Sequence, residues 1–217
     1  AHGALMIALL LIASGSQAAT PGAAPSDVVI NEVEYNPHGD DNACEWVELY
    51  NRTGAPIDLS GWTLQDNTSS DPLPDLILPA GGFAVVAATI SFYDNYPEFE
   101  GTLVILGGYL GNGLSNAGDQ LYLKDGEGVE IDALSYDGDE TVFSCAGFAC
   151  AGVAEGHSLE REPQGQDTDS PADFVDRDPP TPGTGTSPPS SSSADLQIRK
   201  TAPLSVLPGE IITYLVT

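Results

Sequence analysis

Residues 120–136 read QLYLKDGEGVEIDALSY. Two runs rich in Leu, Tyr, Val and Ile flank Asp125-Gly126-Glu127-Gly128, a four-residue loop made of turn formers. That pattern predicts a β-hairpin. Working outward, more short runs of the same kind appear at residues 28–35 (VVINEVEY), 45–51 (EWVELYN), 57–64 (IDLSGWTL), 83–88 (FAVVAA) and 103–106 (LVIL). Gly, Pro, Asn and Asp separate them. No 3.6-residue periodicity lasts long enough for a crossover helix, so parallel α/β folds are disfavoured. The reading is an all-β protein, an antiparallel β-sandwich or barrel over residues 28–178. Its expected inward residues are Val28, Ile30, Val33, Val47, Leu49, Leu59, Leu64, Val85, Val104, Leu106, Leu121, Leu123, Ile131 and Leu134. Trp46 and Trp62 are the largest anchors.

Composition limits function. The 217 residues carry 6 Lys+Arg against 32 Asp+Glu, a formal net charge of −26. Arg199 and Lys200 cancel Asp195 and Glu210, so the whole excess lies upstream of residue 179. Phosphate neutralisation needs clustered cations, so nucleic-acid binding is not expected, and neither is attraction to an anionic membrane. With 17 Pro and 24 Gly the chain is rich in turns and unsuited to an all-helical fold.

The ends differ from the middle. Residues 4–13 read ALMIALLLIA, too short to span a bilayer and suited to the apolar core of a signal peptide. Ser16-Gln17-Ala18 places cleavage after Ala18, so residues 1–18 are read as a signal peptide, truncated because no basic start precedes it. Residues 19–27 are a short linker. Secretion or display on the cell surface follows, without membrane insertion after cleavage. Residues 179–193 (PPTPGTGTSPPSSSS) form an extended Pro/Ser linker with nothing to build a core. Residues 194–217 hold two strand-like runs around Pro208-Gly209. Two strands do not fold alone, so they are read as the start of an incomplete second β-domain.

Several strings together resemble the lamin tail domain, in the form found in secreted bacterial proteins. They are residues 30–33 (INEV), 45–51 (EWVELYN), 58–62 (DLSGW), 78–82 (LPAGG), 113–119 (GLSNAGD) and 156–161 (GHSLER). The resemblance implies an immunoglobulin-like sandwich in a family not known as catalytic, whose bacterial members often sit beside nucleases, other hydrolases or surface repeats. Asp195-Leu196, Lys200-Thr201 and Pro208-Gly209-Glu210 resemble the start of an Ig-like repeat of bacterial surface proteins. Further Ig-like domains in the same chain would then be neighbours. Read physically, the same strings are turn chemistry: Gly and Asn admit positive φ, and Gly-Pro pairs end strands.

No nucleophile motif is present: there is no Gly-x-Ser-x-Gly, His-Glu-x-x-His or Cys-x-x-Cys. The domain is therefore read as non-catalytic. Glu32 and Glu48 lie among apolar strand residues, and a buried carboxylate needs a partner. Arg161 is the expected partner of one of them, in a structural ion pair. The acidic excess suggests calcium, whose natural ligands are carboxylate oxygens. Candidate clusters are Asp40-Asp41-Asn42, Asp137-Gly138-Asp139-Glu140, and Asp167, Asp169 and Asp173, of which the last looks most like an ion-wrapping loop. A solvated acidic surface is the alternative. Cys145 and Cys150 are close enough to form a disulfide in an oxidising compartment, leaving Cys44 free or exchanging with one of them. Tyr93, Tyr96 and Phe99 are either a carbohydrate platform or a local mini-core.

These features point to a binding or spacer module whose partner is a protein or cell-surface polymer. The alternative is an accessory domain of a secreted hydrolase whose catalytic part lies elsewhere.

Overall fold

Strand runs broken by turn residues bury one face each, and that rule builds this molecule. The computed structural model describes residues 27–144 and 152–184. The signal-peptide segment, Cys145, Cys150, residues 185–193 of the linker and the start of the second β-domain lie outside the described residues.

In chain order the strands are β1 (Val28–Glu34), β2 (Trp46–Asn51), β3 (Ile57–Asp58), β4 (Thr63–Gln65), β5 (Ser70–Pro72), β6 (Ile77–Leu78), β7 (Phe83–Ala87), β8 (Leu103–Ile105), β9 (Asp119–Lys124), β10 (Glu130–Tyr136), β11 (Ser158–Arg161) and β12 (Phe174–Arg177). One sheet has the order β12-β11-β1-β2-β7-β8 and a second has β10-β9-β4-β5, while β3 and β6 form a two-stranded ribbon. The two main sheets pack into an immunoglobulin-like sandwich. The hairpin read from residues 120–136 is β9–β10, closed by the Asp125 N–H to Val129 carbonyl bond at 2.9 Å.

Two departures have physical reasons. Residues 57–64, expected as one strand, are split. The Asp58 carboxylate accepts from the Ser60 N–H at 2.9 Å, and Gly61 takes φ 79°, so the chain turns between β3 and β4. Second, β8 pairs with β7 in parallel, where an antiparallel sandwich was expected. Residues 88–102 supply the crossover that a parallel pair needs. They include the single-turn helix α2 (Phe92–Asn95); its counterpart α1 (Asp41–Cys44) precedes β2. Among the described residues no helix is long and apolar enough to cross a membrane.

The main core lies between the sheets and takes in Val28, Ile30, Val33, Val47, Leu49, Leu64, Leu121, Leu123, Ile131 and Leu134, with Trp62. Trp46 and Val85, expected there, instead sit on the outer face of the six-stranded sheet with Ala87 and Phe92. Tyr96, Phe99 and Leu103 pack on this second cluster. Two of the three aromatics weighed as a sugar platform, Tyr96 and Phe99, are thus mini-core residues, while Tyr93 is 37% exposed.

Candidate functional site

Two polar constellations occupy opposite faces of the six-stranded sheet. Both depend on a bulge in β1. Its register to β2 shifts between Ile30 and Glu32. A bulge inserts one unpaired residue and resets the alternation. Ile30 and Val33 therefore both face the core, while Glu32 and Glu34 face outward.

On the inner face, Arg161 projects from β11 between the sheets and is fully buried. Its guanidinium meets both oxygens of Asp132 on β10 at 3.0 and 3.1 Å. Its Nε donates to the Ile30 carbonyl at 2.9 Å, and the Ile30 N–H donates to Asp132 at 2.6 Å. Arginine and aspartate together satisfy the Ile30 backbone groups beside the bulge, where the β1–β11 pairing does not extend. Arg161 also donates to the Gln166 carbonyl at 2.7 Å and reaches Asp167 at 3.3 Å and Asp173 at 3.5 Å. Its charge lies 4.4 Å from the Phe174 ring centroid. Burial pushes the Asp132 carboxyl up to about 6, against the pull of Arg161. For Asp173 burial pushes upward too, but hydrogen bonds from Gln166 and Thr168 and the charge of Arg161 outweigh it and hold the carboxyl below its ordinary range.

This geometry corrects one expectation and gives the acidic loop a partner within the chain. Arg161 pairs with Asp132, Asp167 and Asp173, not with Glu32 or Glu48, because it points inward and they point outward. The loop carrying Asp167 and Asp173 closes on the guanidinium of Arg161. Asp169 is exposed and takes φ 52°. Among the described residues no group of three or more His, Cys, Asp or Glu side chains is placed to hold a metal. The other two acidic clusters serve turns and loops: Asp41 accepts from the Asn116 side chain at 3.0 Å, and Asp139 from the Thr141 N–H at 2.7 Å.

On the outer face three glutamates stand side by side. Glu32 is the register partner of Glu160 on β11 and of Glu48 on β2. All three are fully buried. Glu32 accepts from the Ser158 hydroxyl at 2.5 Å and from the Thr181 N–H at 2.8 Å. Glu48 accepts from the Asn31 amide at 2.9 Å and the Gly183 N–H at 2.5 Å. The Thr181 hydroxyl reaches Glu32 at 3.2 Å and Glu160 at 3.4 Å. Arg177 pairs with Glu160. Burial raises the Glu32 carboxyl to about 7. Burial and then the charge of Glu32 raise Glu48 to about 8. Beside the row, a cavity of about 410 Å³ is lined by Tyr96, Pro97, Phe99, Pro180 and Pro182 among others.

The remaining motif residues are structural. Asn51, ending β2, donates to the carbonyls of Ala55, Leu78 and Pro79 at 2.8, 3.0 and 2.9 Å. It thereby ties two of the quoted strings, 45–51 and 78–82, together. Glu45 accepts from the Leu114 N–H at 3.0 Å, joining residues 45–51 to 113–119. Burial raises its carboxyl to about 8. Cys44 carries a free, buried thiol. Sequence reasoning missed Asp132, Glu160, Ser158, Thr181 and Gly183. For Glu160 a signal existed: neighbours on a strand face opposite sides, so an inward Arg161 puts Glu160 outward.

Residues 21–138 match the family described as Lamin Tail Domain. No curated protein matches the chain.

Proposed function

The chain belongs to the lamin tail domain family, and on that premise we propose that it is a non-catalytic binding and spacer module of a secreted or cell-surface protein. One observation carries the reading. The side chains best suited to acid–base work are enclosed and already bonded: Glu32, Glu48 and Glu160 are fully buried beneath residues 181–183. A general acid or a hydrolytic carboxylate pair must reach its substrate. The motif residues hold turns together in the same way, which suits a rigid body carried on linkers. The apolar segment 4–13 and the Ser16-Gln17-Ala18 site support export, and the net charge of −26 supports a protein or cell-surface polymer as partner rather than nucleic acid.

The test has two arms. The full chain, expressed with its own N-terminus, should be recovered outside the cytoplasm and be removable by protease from intact cells. Retention in the cytoplasm overturns the location. The purified chain should show no phosphoester or glycoside hydrolysis. Activity that disappears in Glu32→Gln or Glu48→Gln, with the unfolding midpoint unchanged, overturns the non-catalytic reading.

A further inference from the structure

The outer glutamate row is covered by a segment outside the matched family span. Residues 180–183 read Pro-Thr-Pro-Gly. Proline fixes φ and supplies no N–H, so the only backbone donors of the segment are Thr181 and Gly183, and it folds into a β-turn in which the Thr184 N–H donates to the Thr181 carbonyl at 3.1 Å. The turn aims the Thr181 and Gly183 N–H groups at the sheet. These two N–H groups land on Glu32 and Glu48, which are themselves adjacent across β1 and β2. Gly183 has φ 78°, and a Cβ there would come 2.7 Å from the Phe99 ring, so the seat is shaped for glycine. Pro180 and Pro182 lie along the Tyr96, Pro97 and Phe99 wall.

We propose that the glutamate row and its aromatic wall form a binding groove for a turn-forming Pro-x-Pro-Gly segment, filled here by residues 180–183 as an intramolecular latch that ionisation of the row releases. The groups facing the row are Asn31 and Glu34 from β1, Ser158 from β11, Arg177 from β12, Tyr96 from the loop after α2, and Thr181 and Gly183 from the latch. Arg177 is the one cation among them, and it is engaged by Glu160 and by Glu162 at 3.5 Å. Carboxylates directly opposite each other on neighbouring strands repel when ionised. His157, at 2.8 Å from Asp176 and 3.6 Å from Asp178, ties down the root of the latch.

Two effects oppose each other under the latch. Its N–H groups favour ionised carboxylates, while exclusion of water and mutual repulsion favour the protonated form. Both carboxyls are displaced upward, Glu32 to about 7 and Glu48 to about 8, so the second effect is larger. The latched state therefore holds protons that an open, hydrated row gives up near the ordinary value of 4.5. Latching is complete at acid pH, weakens as pH rises from there, and is lost once pH has passed through about 8. The inference does not depend on where the protein resides.

The experiment is amide hydrogen exchange on the full chain at about pH 5.5 and about pH 8.5, corrected for intrinsic exchange, read at residues 180–184. Protection should fall at least about tenfold at the higher pH, the change that one pKa unit produces. Glu48→Gln keeps an acceptor oxygen but cannot ionise, and should retain protection at the higher pH. Gly183→Ala should lose protection at both, with β1 and β2 still protected. A synthetic peptide of residues 178–184 should then bind the Gly183→Ala chain and not the wild type. Protection that is equal at both pH values overturns the ionisation gate. Failure of the peptide to bind Gly183→Ala overturns the groove.

Discussion

Replacing Arg161 with Met tests whether a charged residue organises the sandwich from inside. The substitution keeps most of the volume and removes the guanidinium. It leaves Asp132, with its side chain 3% exposed, facing no cation. It also strips the Ile30 carbonyl of its 2.9 Å donor at the bulge and leaves Asp167 and Asp173 without the charge they share. Removing one partner of a buried pair costs about 3–5 kcal/mol, a large part of the roughly 5–15 kcal/mol that holds a domain together. Since about 1 kcal/mol moves the midpoint of a domain this size by about 2–4 °C, the expected drop is on the order of 10 °C. Urea unfolding of the full chain, followed by fluorescence of Trp46 and Trp62, measures the free energy directly. Arg161→Met/Asp132→Leu should recover part of the loss, because the uncompensated charge is gone. Recovery should be incomplete, because the Ile30 N–H then lacks its acceptor too. A loss below about 1 kcal/mol for Arg161→Met, the range of exposed ion pairs, would refute the assignment of Arg161 as the cation between the sheets.

Asn51→Ala removes one donor from three carbonyls, of which Ala55 keeps the Thr53 hydroxyl at 2.8 Å and Pro79 the Gly82 N–H at 2.9 Å, and should lower stability by about 1–3 kcal/mol in the same urea experiment. Glu45 is held protonated by burial up to about 8. A group raised in this way stabilises fully below its unfolded value, and that stability is lost as pH rises through the folded one. Glu45→Gln should therefore flatten the fall in unfolding midpoint between about pH 5 and about pH 8.5 and be the more stable protein at the alkaline end. Calcium should leave the wild-type midpoint where a chelator leaves it, because Asp167 and Asp173 already surround Arg161. A calcium-dependent rise abolished by Asp167→Asn and Asp169→Asn would show that the loop exchanges the guanidinium for an ion.

Strand and turn chemistry made the fold readable before any coordinates. Alternating apolar residues around Asp125–Gly128 gave the hairpin, and most of the residues expected inward are in the core. The site was less readable, and the bulge at Ile30 and Glu32 explains why. Under strict alternation from Ile30, Glu32 falls on the inner face, where Arg161 is the natural partner. One unpaired residue in β1 moves Glu32 to the outer face and leaves Arg161 to Asp132, a residue 29 positions away on another strand. A bulge has no signature in these residues beyond the strand run itself. The single turns in residues 57–64 and 88–102 were hidden for a related reason. Asp58 and Gly61 stop a strand by local hydrogen bonding and positive φ, which compete with a strong apolar pattern.

The folding unit extends past the matched family span. That span ends at residue 138, after β10, but the six-stranded sheet is completed by β11 and β12 from residues 158–177. Without them β1 becomes an edge strand, although all seven of its residues are buried. An edge strand exposes a row of unpaired backbone groups, and this one would also carry the bulge. The same truncation removes Arg161, leaving Asp132 without its cation and the Ile30 carbonyl without that donor, and removes Ser158 and Thr181 from Glu32. A chain ending at Gly138 should therefore fail to give a cooperative urea transition, while one ending at Thr184 should unfold as the full chain does. Cooperative unfolding of the shorter chain at an unchanged midpoint would mean that β11 and β12 are an attachment to the sandwich. The expected result makes them part of it, with Arg161 as the side chain that joins the two sheets at the bulge.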